Sequence, residues 1–162
     1  MTSDMTKRGA VAMSSAMKTQ FQPANPGYER HVRESFAAQG LMITLGARMI
    51  SVAPGQVTIE VPFTKGLSQQ KGFFHGAVSG GIGDSAGGYA ALTLLPAGSE
   101  VVTIEYKINF LRPAVGELLR ATGRVLRPGR SVTVCQIDIE TSAGGKAAQC
   151  GLMQATFMRV GG

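Results

Sequence analysis

The sequence of residues 72–97, GFFHGAVSGGIGDSAGGYAALTLLPA, decides the fold. It is largely apolar, meets a proline at Pro96, and is long enough for a helix of four or five turns at about 3.6 residues each. Sequence typical of strands lies on both sides of it. We therefore expect one long buried helix between two groups of strands.

The sequence before this helix predicts a short helix and a hairpin. Residues 28–39, YERHVRESFAAQ, are predicted to form the helix, which Gly40 closes. The apolar stretch 41–53 is followed by a turn at Pro54-Gly55. In residues 57–61, VTIEV, apolar and polar side chains then alternate with the period of a strand. Residues 41–61 are therefore predicted to form a β-hairpin.

Four strands are predicted after the helix. From Val102 to Phe110 apolar residues alternate with polar ones, which predicts a strand with one buried face. Three further candidates, joined by turn-like sequences, lie at residues 116–126, 131–140 and 147–159. The order α, β, β, α and four strands predicts an α+β domain whose second half is an antiparallel meander.

The composition limits the class of protein. With 162 residues, 44% hydrophobic and 16% charged, the chain is long and apolar enough for one globular domain, predicted at residues 28–162. Residues 1–27 are predicted to be a weakly ordered arm. No apolar run reaches the roughly 18 residues of a membrane helix, and the apolar run after Lys7 and Arg8 is too short for a signal peptide, so we expect a cytoplasmic protein without membrane partners. Two cysteines and two histidines predict no metal site and no separate cofactor.

Most of the net charge of +6 lies in one stretch. Between Lys107 and Arg130 there are six basic residues and one acid, Glu117. No nucleic-acid-binding motif accompanies them, so we expect no nucleic-acid partner. A phosphorylated small molecule and a solvated strand face with no specific partner both remain open.

Asp84 is the only formally charged residue between Lys71 and Glu100. A carboxylate in such an apolar helix loses solvation, which raises its pKa and makes it a candidate for chemistry. The positions three and four residues away, which share its helix face, are all glycine, namely Gly80, Gly81, Gly87 and Gly88. Because glycines destabilise a helix by about 0.8–1 kcal/mol each, we expect that another backbone, subunit or ligand approaches closely here.

The start of the helix offers a second group. His75 and Gly76 stand where helix N–H groups have no intrahelical partner, so the Gly76 amide is suited to hold a developing oxyanion. Gly76 and Asp84 are separated by roughly 12 Å of helix, too far to act on one carbonyl. Both can act only if two copies of the helix lie antiparallel, which predicts a two-fold homodimer with two equivalent sites. We expect such dimers to pair into a homotetramer.

The stretch HGAVSGGIGD that ends at Asp84 resembles the hotdog-fold acyl-CoA thioesterases, in particular the phenylacetate-pathway (PaaI-like) group. Ala77 stands where that pattern has a second glycine. The resemblance covers about residues 29–159. It implies a hotdog fold, in which an antiparallel sheet wraps round one long central helix, and an acyl-CoA substrate.

The resemblance also implies roles for single residues. Asp84 is then the nucleophile or general base, the Gly76 amide polarises the thioester carbonyl, and Gln69 assists. Thr103 resembles a residue that holds the attacking water, and His75 orients the site. The residues expected to contact the substrate are Phe74, Gly87, Gly88, Arg127 and Arg130. Of these, Arg127 and Arg130 are expected to bind the phosphates of coenzyme A.

Two alternatives stay open. A hotdog hydratase or dehydratase would act on carbon rather than on the thioester, and would pair an acid with a histidine. A non-catalytic acyl-CoA-binding regulator would use the same groove and meet DNA through a separate element, for which residues 1–27 show no motif.

Overall fold

The computed structural model describes residues 21–161, which form three α-helices, one short 3₁₀ turn at Lys65–Leu67 and six strands. The helices are α1 (Tyr28–Ala38), α2 (Gly40–Leu45) and α3 (Gly76–Leu92). The strands are β1 (Arg48–Ala53), β2 (Gln56–Pro62), β3 (Ser99–Phe110), β4 (Leu118–Arg127), β5 (Val132–Ala143) and β6 (Lys146–Gly161).

The strands form one antiparallel sheet in the order β1-β2-β4-β5-β6-β3. The long helix α3 packs across one face of this sheet and touches five of its strands. Its side chains are buried on nearly every side, as expected of a helix that is apolar all round. The predicted α+β architecture, a sheet around one long central helix, is therefore confirmed.

The predicted arm is only partly described. Residues 1–20 lie outside the described residues. Within residues 21–27, Phe21 packs against Gly55 and the rest of the core, and the Ala24 N–H donates to the Leu94 carbonyl at 3.4 Å. This segment leads directly into α1.

The prediction that the strand begins at residue 41 is wrong. Helix α1 ends at Ala38, and Gly40 begins a second short helix rather than closing the first. Met42 is buried in α2 and Leu45 is partly buried against the core, and this spacing of three residues fits one turn of helix. Gly46 ends α2 in the left-handed conformation, with φ of +67°, which glycine adopts without strain.

The prediction that β3 buries one face is also wrong within one chain. β3 lies at the edge of the sheet, and Val102, Ile104 and Tyr106 are 44%, 52% and 47% exposed. The alternation is present in the sequence, but no element within residues 21–161 covers this part of the strand. An edge strand with exposed apolar side chains and unpaired backbone groups is suited to contact a second chain.

The glycines of α3 admit large side chains of the sheet and of α2. A Cβ at Gly87 would lie 2.9 Å from the Phe157 ring, one at Gly80 would lie 3.3 Å from the Tyr106 hydroxyl, and Gly81 faces Leu41. The room that we expected for a neighbouring molecule is thus filled at these positions by the chain's own side chains. The glycines let helix and sheet approach closely, which is a packing role.

Gly123 of β4 provides a test of this close packing. A Cβ at this position would lie 2.7 Å from the backbone nitrogen of Gly87 and nearer still to the Ala86 carbonyl, where no side-chain movement relieves the clash. We expect Gly123→Ala to lower the free energy of unfolding by about 3 kcal/mol, the upper end of overpacking. Thermal unfolding should then occur roughly 6–12 °C lower.

Gly40→Ala is the matched control for this variant. Nothing lies within 4 Å of a Cβ at Gly40, so the melting temperature should stay close to that of the wild type. Equal melting temperatures for the two variants would contradict the proposed contact between β4 and α3.

Candidate active site

A cavity of about 280 Å³ lies beside Asp84. Helix α1 contributes Ser35 to its lining, α3 contributes Asp84, Gly88 and Tyr89, and β3 contributes Thr103. The carboxylate that the sequence singled out therefore borders an accessible space. Gly88, predicted to contact substrate, lines the same space.

Thr103 and Asp84 are in direct contact. The Thr103 hydroxyl donates a hydrogen bond of 2.7 Å to Asp84 Oδ1. Burial raises the pKa of Asp84, and the hydrogen bond from Thr103 opposes part of that rise. Because the Thr103 hydroxyl is bonded to Oδ1 of Asp84, the other carboxylate oxygen, Oδ2, is available to attack a substrate or accept a proton.

The other predicted groups gather at the beginning of α3. His75 is the N-cap residue, and its Nδ1 accepts a 3.0 Å hydrogen bond from the Ala77 N–H. This bond requires an unprotonated Nδ1, so a neutral His75 carries its hydrogen at Nε2. Among residues 21–161 the Gly76 N–H has no acceptor, as expected at the first position of a helix. The exposed Phe110 ring lies 3.0 Å from where a Gly76 Cβ would stand.

Gln69 belongs to the loop before α3. Its side-chain oxygen accepts a hydrogen bond from the Lys71 N–H, and its backbone N–H donates to the Phe73 carbonyl at 2.8 Å. It does not line the cavity at Asp84. The predicted site residues therefore form two separate groups in one chain, with Asp84 and Thr103 in one and Gln69, His75 and Gly76 in the other.

Two predicted substrate contacts lie elsewhere. Phe74 is buried and packs edge-on against Phe63, with ring centroids 5.1 Å apart. Gly87 lies beneath Phe157 rather than at the cavity. Both positions serve packing in this chain.

Four arginines of the basic stretch fall into two pairs. Arg120 and Arg124 form ion pairs with Glu60 and Asp138 across neighbouring strands. Arg127 and Arg130 are exposed at the hairpin that joins β4 and β5. This hairpin lies at the end of the sheet that holds Thr103, since Val132 of β5 and Val102 of β3 both pair with Met158.

Sequence reasoning missed four polar residues of the cavity, Ser35, Gln39, Ser85 and Glu100. The sequence at α1 contained a signal for two of these residues, Ser35 and Gln39. Val32 and Phe36 identify the buried face of this helix, and Ser35 and Gln39 each lie three positions after one of them. Polar residues on the inward face of a helix indicate a polar space behind it.

No cluster of three or more His, Cys, Asp or Glu side chains that could hold a metal ion occurs among residues 21–161. Within the same residues, no helix is both long and apolar enough to cross a bilayer.

Comparison with known proteins supports the predicted resemblance. The model of the thioesterase superfamily matches residues 71–148, which contain α3, Asp84 and Thr103. Acyl-coenzyme A thioesterase 13 of Homo sapiens is 27% identical over 99 residues, which are 60% of this chain and 70% of the human protein.

Two solved structures share the fold. A thioesterase family protein from Silicibacter pomeroyi is 40% identical, with a TM-score of 0.82 over 84% of this chain and all of the other. The PaaI protein of the E. coli phenylacetic acid degradation operon is 23% identical, with a TM-score of 0.75 over 86% of this chain and 97% of the other, and shows the fold alone. The predicted hotdog fold is confirmed. With sequence and fold shared over this length, the chain belongs to the thioesterase superfamily.

Proposed function

We propose that the chain hydrolyses acyl-CoA thioesters to a free acid and coenzyme A. The observation that carries the proposal is Asp84, a partly desolvated carboxylate that borders a cavity and is held by Thr103. Membership in the thioesterase superfamily and the name of the human relative support the class of substrate.

The site is completed by a second copy of the chain. The exposed apolar side chains of β3 and its unpaired edge favour antiparallel pairing with the β3 of a partner. A two-fold axis normal to the sheet then places two α3 helices side by side in opposite directions. In this arrangement the Gly76 end of one helix approaches Asp84 of the other, so that two half-sites make one whole site.

Two routes fit this geometry. In one, Asp84 Oδ2 attacks the thioester carbonyl, the thiolate of coenzyme A leaves, and water hydrolyses the mixed anhydride. In the other, Asp84 takes a proton from a water that attacks the carbonyl directly. In both, the partner's Gly76 N–H stabilises the negative charge on the carbonyl oxygen.

Release of free thiol is the direct test. The protein should liberate a thiol from an acyl-CoA ester, which a thiol reagent detects. Loss of the absorbance of an enoyl thioester without thiol release would indicate a hydratase, and binding of acyl-CoA without either change would indicate a non-catalytic regulator.

Arg127 and Arg130 are proposed to bind the phosphates of coenzyme A. They are exposed at the end of the sheet that holds Thr103, and β5 lies two strands from β3, about 10 Å away. We expect Arg127→Ala and Arg130→Ala each to raise the KM for an acyl-CoA about fivefold with little change in kcat, the size of a solvent-exposed charge pair.

The same variants should lose their defect on a truncated thioester that lacks the nucleotide phosphates. Arg30→Ala, on the exposed surface of α1, is the matched control and should leave KM unchanged. An unaltered KM in both hairpin variants would refute the phosphate assignment.

A further inference from the structure

One face of α3 is contacted by a row of side chains from β3. Positions 76, 80, 84 and 88 follow one another at intervals of four residues, so they share this face of the helix. β3 runs along it in the opposite direction. The contacts are Val101 at Gly88, Thr103 at Asp84, Tyr106 at Gly80 and Phe110 at Gly76.

An irregularity in β3 keeps the whole row on the helix side. Thr103 and Tyr106 are three positions apart, and in a regular strand they would point to opposite faces. The register between β3 and β6 shifts between Thr103 and Glu105, which inserts one extra residue. Glu105 then points away from α3, where its carboxylate accepts a hydrogen bond from Thr156, and the side chains up to Phe110 face α3 again.

Phe110 is the member of this row that stands at the proposed oxyanion donor. The tip of its ring lies 3.0 Å from where a Gly76 Cβ would stand, so it rests against the first residue of the helix. The ring is nevertheless 58% exposed within the described part of the chain. The proposed hydrolysis assigns no role to it.

Backbone hydrogen bonds hold the ring in this place. Directly after Phe110, the Leu111 N–H donates to the Cys150 carbonyl of β6 at 2.9 Å. Just before α3, the Phe74 N–H donates to the Ala114 carbonyl at 3.1 Å. The end of β3 and the beginning of α3 are therefore joined next to the contact between ring and helix.

In the proposed dimer, Phe110 reaches the reaction centre together with Gly76. Antiparallel α3 helices place Gly76 of one chain at Asp84 of the other, so position 80 lies nearest the two-fold axis. Tyr106, which contacts Gly80, is then close to the axis, and each Phe110 lies beside one reacting carbonyl.

A ring at this position affects the strength of the oxyanion hydrogen bond. Water competes with the thioester oxygen for the Gly76 N–H, and it also weakens the attraction between the N–H dipole and the developing negative charge. A phenyl ring has no conventional hydrogen-bonding group and excludes water from the volume that it fills.

We propose that Phe110 is a positioning residue of the reaction, whose ring keeps water from the Gly76 N–H so that this donor is reserved for the thioester carbonyl oxygen. The proposal rests on the proposed function, because it concerns the oxyanion donor of the same site. Its effect falls on the transition state, where the negative charge develops, and therefore on kcat rather than on KM.

The test compares leucine with asparagine at position 110. The two side chains have similar size and shape, but asparagine binds water and offers a competing acceptor. Phe110→Leu should keep most of the wild-type kcat. Phe110→Asn should have a kcat about tenfold below that of Phe110→Leu with a similar KM, a part of the 10²–10³-fold loss expected when an oxyanion donor is removed. The measurement is thiol release from benzoyl-CoA and hexanoyl-CoA at several protein concentrations.

The same comparison in the Gly76→Pro background shows whether Phe110 acts through the amide. With the N–H absent, the ratio of kcat between the leucine and asparagine variants should fall to about one. Both side chains are smaller than phenylalanine, so neither crowds the proline. Ile50→Leu and Ile50→Asn are the control pair, because Ile50 is 48% exposed on β1 at the opposite edge of the sheet, and their ratio should be one.

Three outcomes would overturn the inference. A ratio near one with Gly76 intact, or a ratio that persists in Gly76→Pro, would remove the action of Phe110 on the amide while thiol release by the wild type kept the proposed hydrolase. Recovery of Phe110→Asn at higher protein concentration would make Phe110 a dimer contact instead. No thiol release by the wild type from either ester would remove the proposed function and the inference with it.

Discussion

Asp84→Asn should abolish thioester hydrolysis almost completely while the protein still folds and assembles. The change keeps the shape of the side chain and leaves an oxygen that accepts from Thr103, but removes the group that attacks or takes the proton. Loss of a general base lowers turnover by about 10²–10⁴-fold, and loss of a nucleophile lowers it further. The measurement is kcat from thiol release, alongside gel filtration of wild type and variant.

Asp138→Asn is the matched control, because Asp138 pairs with Arg124 on another part of the sheet. Its turnover should match the wild type. Retained turnover in Asp84→Asn would show that Asp84 takes no part in the reaction.

The same variant should be more stable than the wild type at neutral pH. Burial raises the pKa of Asp84 above the value of about 3.9 that it has in the unfolded chain. Above the folded pKa the ionised carboxylate therefore destabilises the native state, and asparagine removes that effect. The gain in melting temperature should disappear as the pH falls below about 4, where both states are protonated. A variant that is less stable at pH 7 would contradict the raised pKa.

The carboxylate half-site could be predicted from the sequence because its signals are local. Asp84 stands out by the absence of other charges around it, and the resemblance supplied Thr103, which the structure places 2.7 Å away. The strands of the C-terminal meander follow from period-two patterns and turn residues in the same way. Contacts between neighbouring strands then follow from the short turns that join them.

Features that depend on distant contacts could not be predicted. Apolar residues 41–45 suit a strand or a short helix equally, and packing of Met42 and the turn at Gly46 decide for the helix. Gly80 and Gly87 indicate that another group approaches the helix closely, but the sequence does not identify that group. In the structure Tyr106 lies against Gly80 and Phe157 lies against Gly87. The pattern of β3 likewise shows an apolar face without showing whether its own chain covers it.

The second large effect is expected from Gly76→Pro. Proline is well tolerated at the first position of a helix, and the φ of −67° and ψ of 140° at His75 suit a residue that precedes proline. The substitution therefore deletes the backbone N–H proposed to bind the oxyanion while α3 keeps its start. We expect kcat to fall by about 10²–10³-fold, as for loss of one oxyanion donor.

Gly76→Ala is the matched control, because it adds a Cβ against the exposed Phe110 ring but keeps the N–H. The ratio of kcat between the alanine and proline variants therefore measures the amide alone. Equal activity in the two variants would show that this amide does not act on the substrate.

Mixing the two inactive variants tests whether the half-sites come from different chains. In a dimer of one Asp84→Asn chain and one Gly76→Pro chain, one site carries both changes and the other carries an intact Asp84 and an intact Gly76 amide. Random exchange of subunits should restore roughly a quarter of the wild-type activity, since half of the dimers are mixed and each has one good site. If Asp84 and Gly76 acted within one chain, every site would carry one change and mixing would restore nothing.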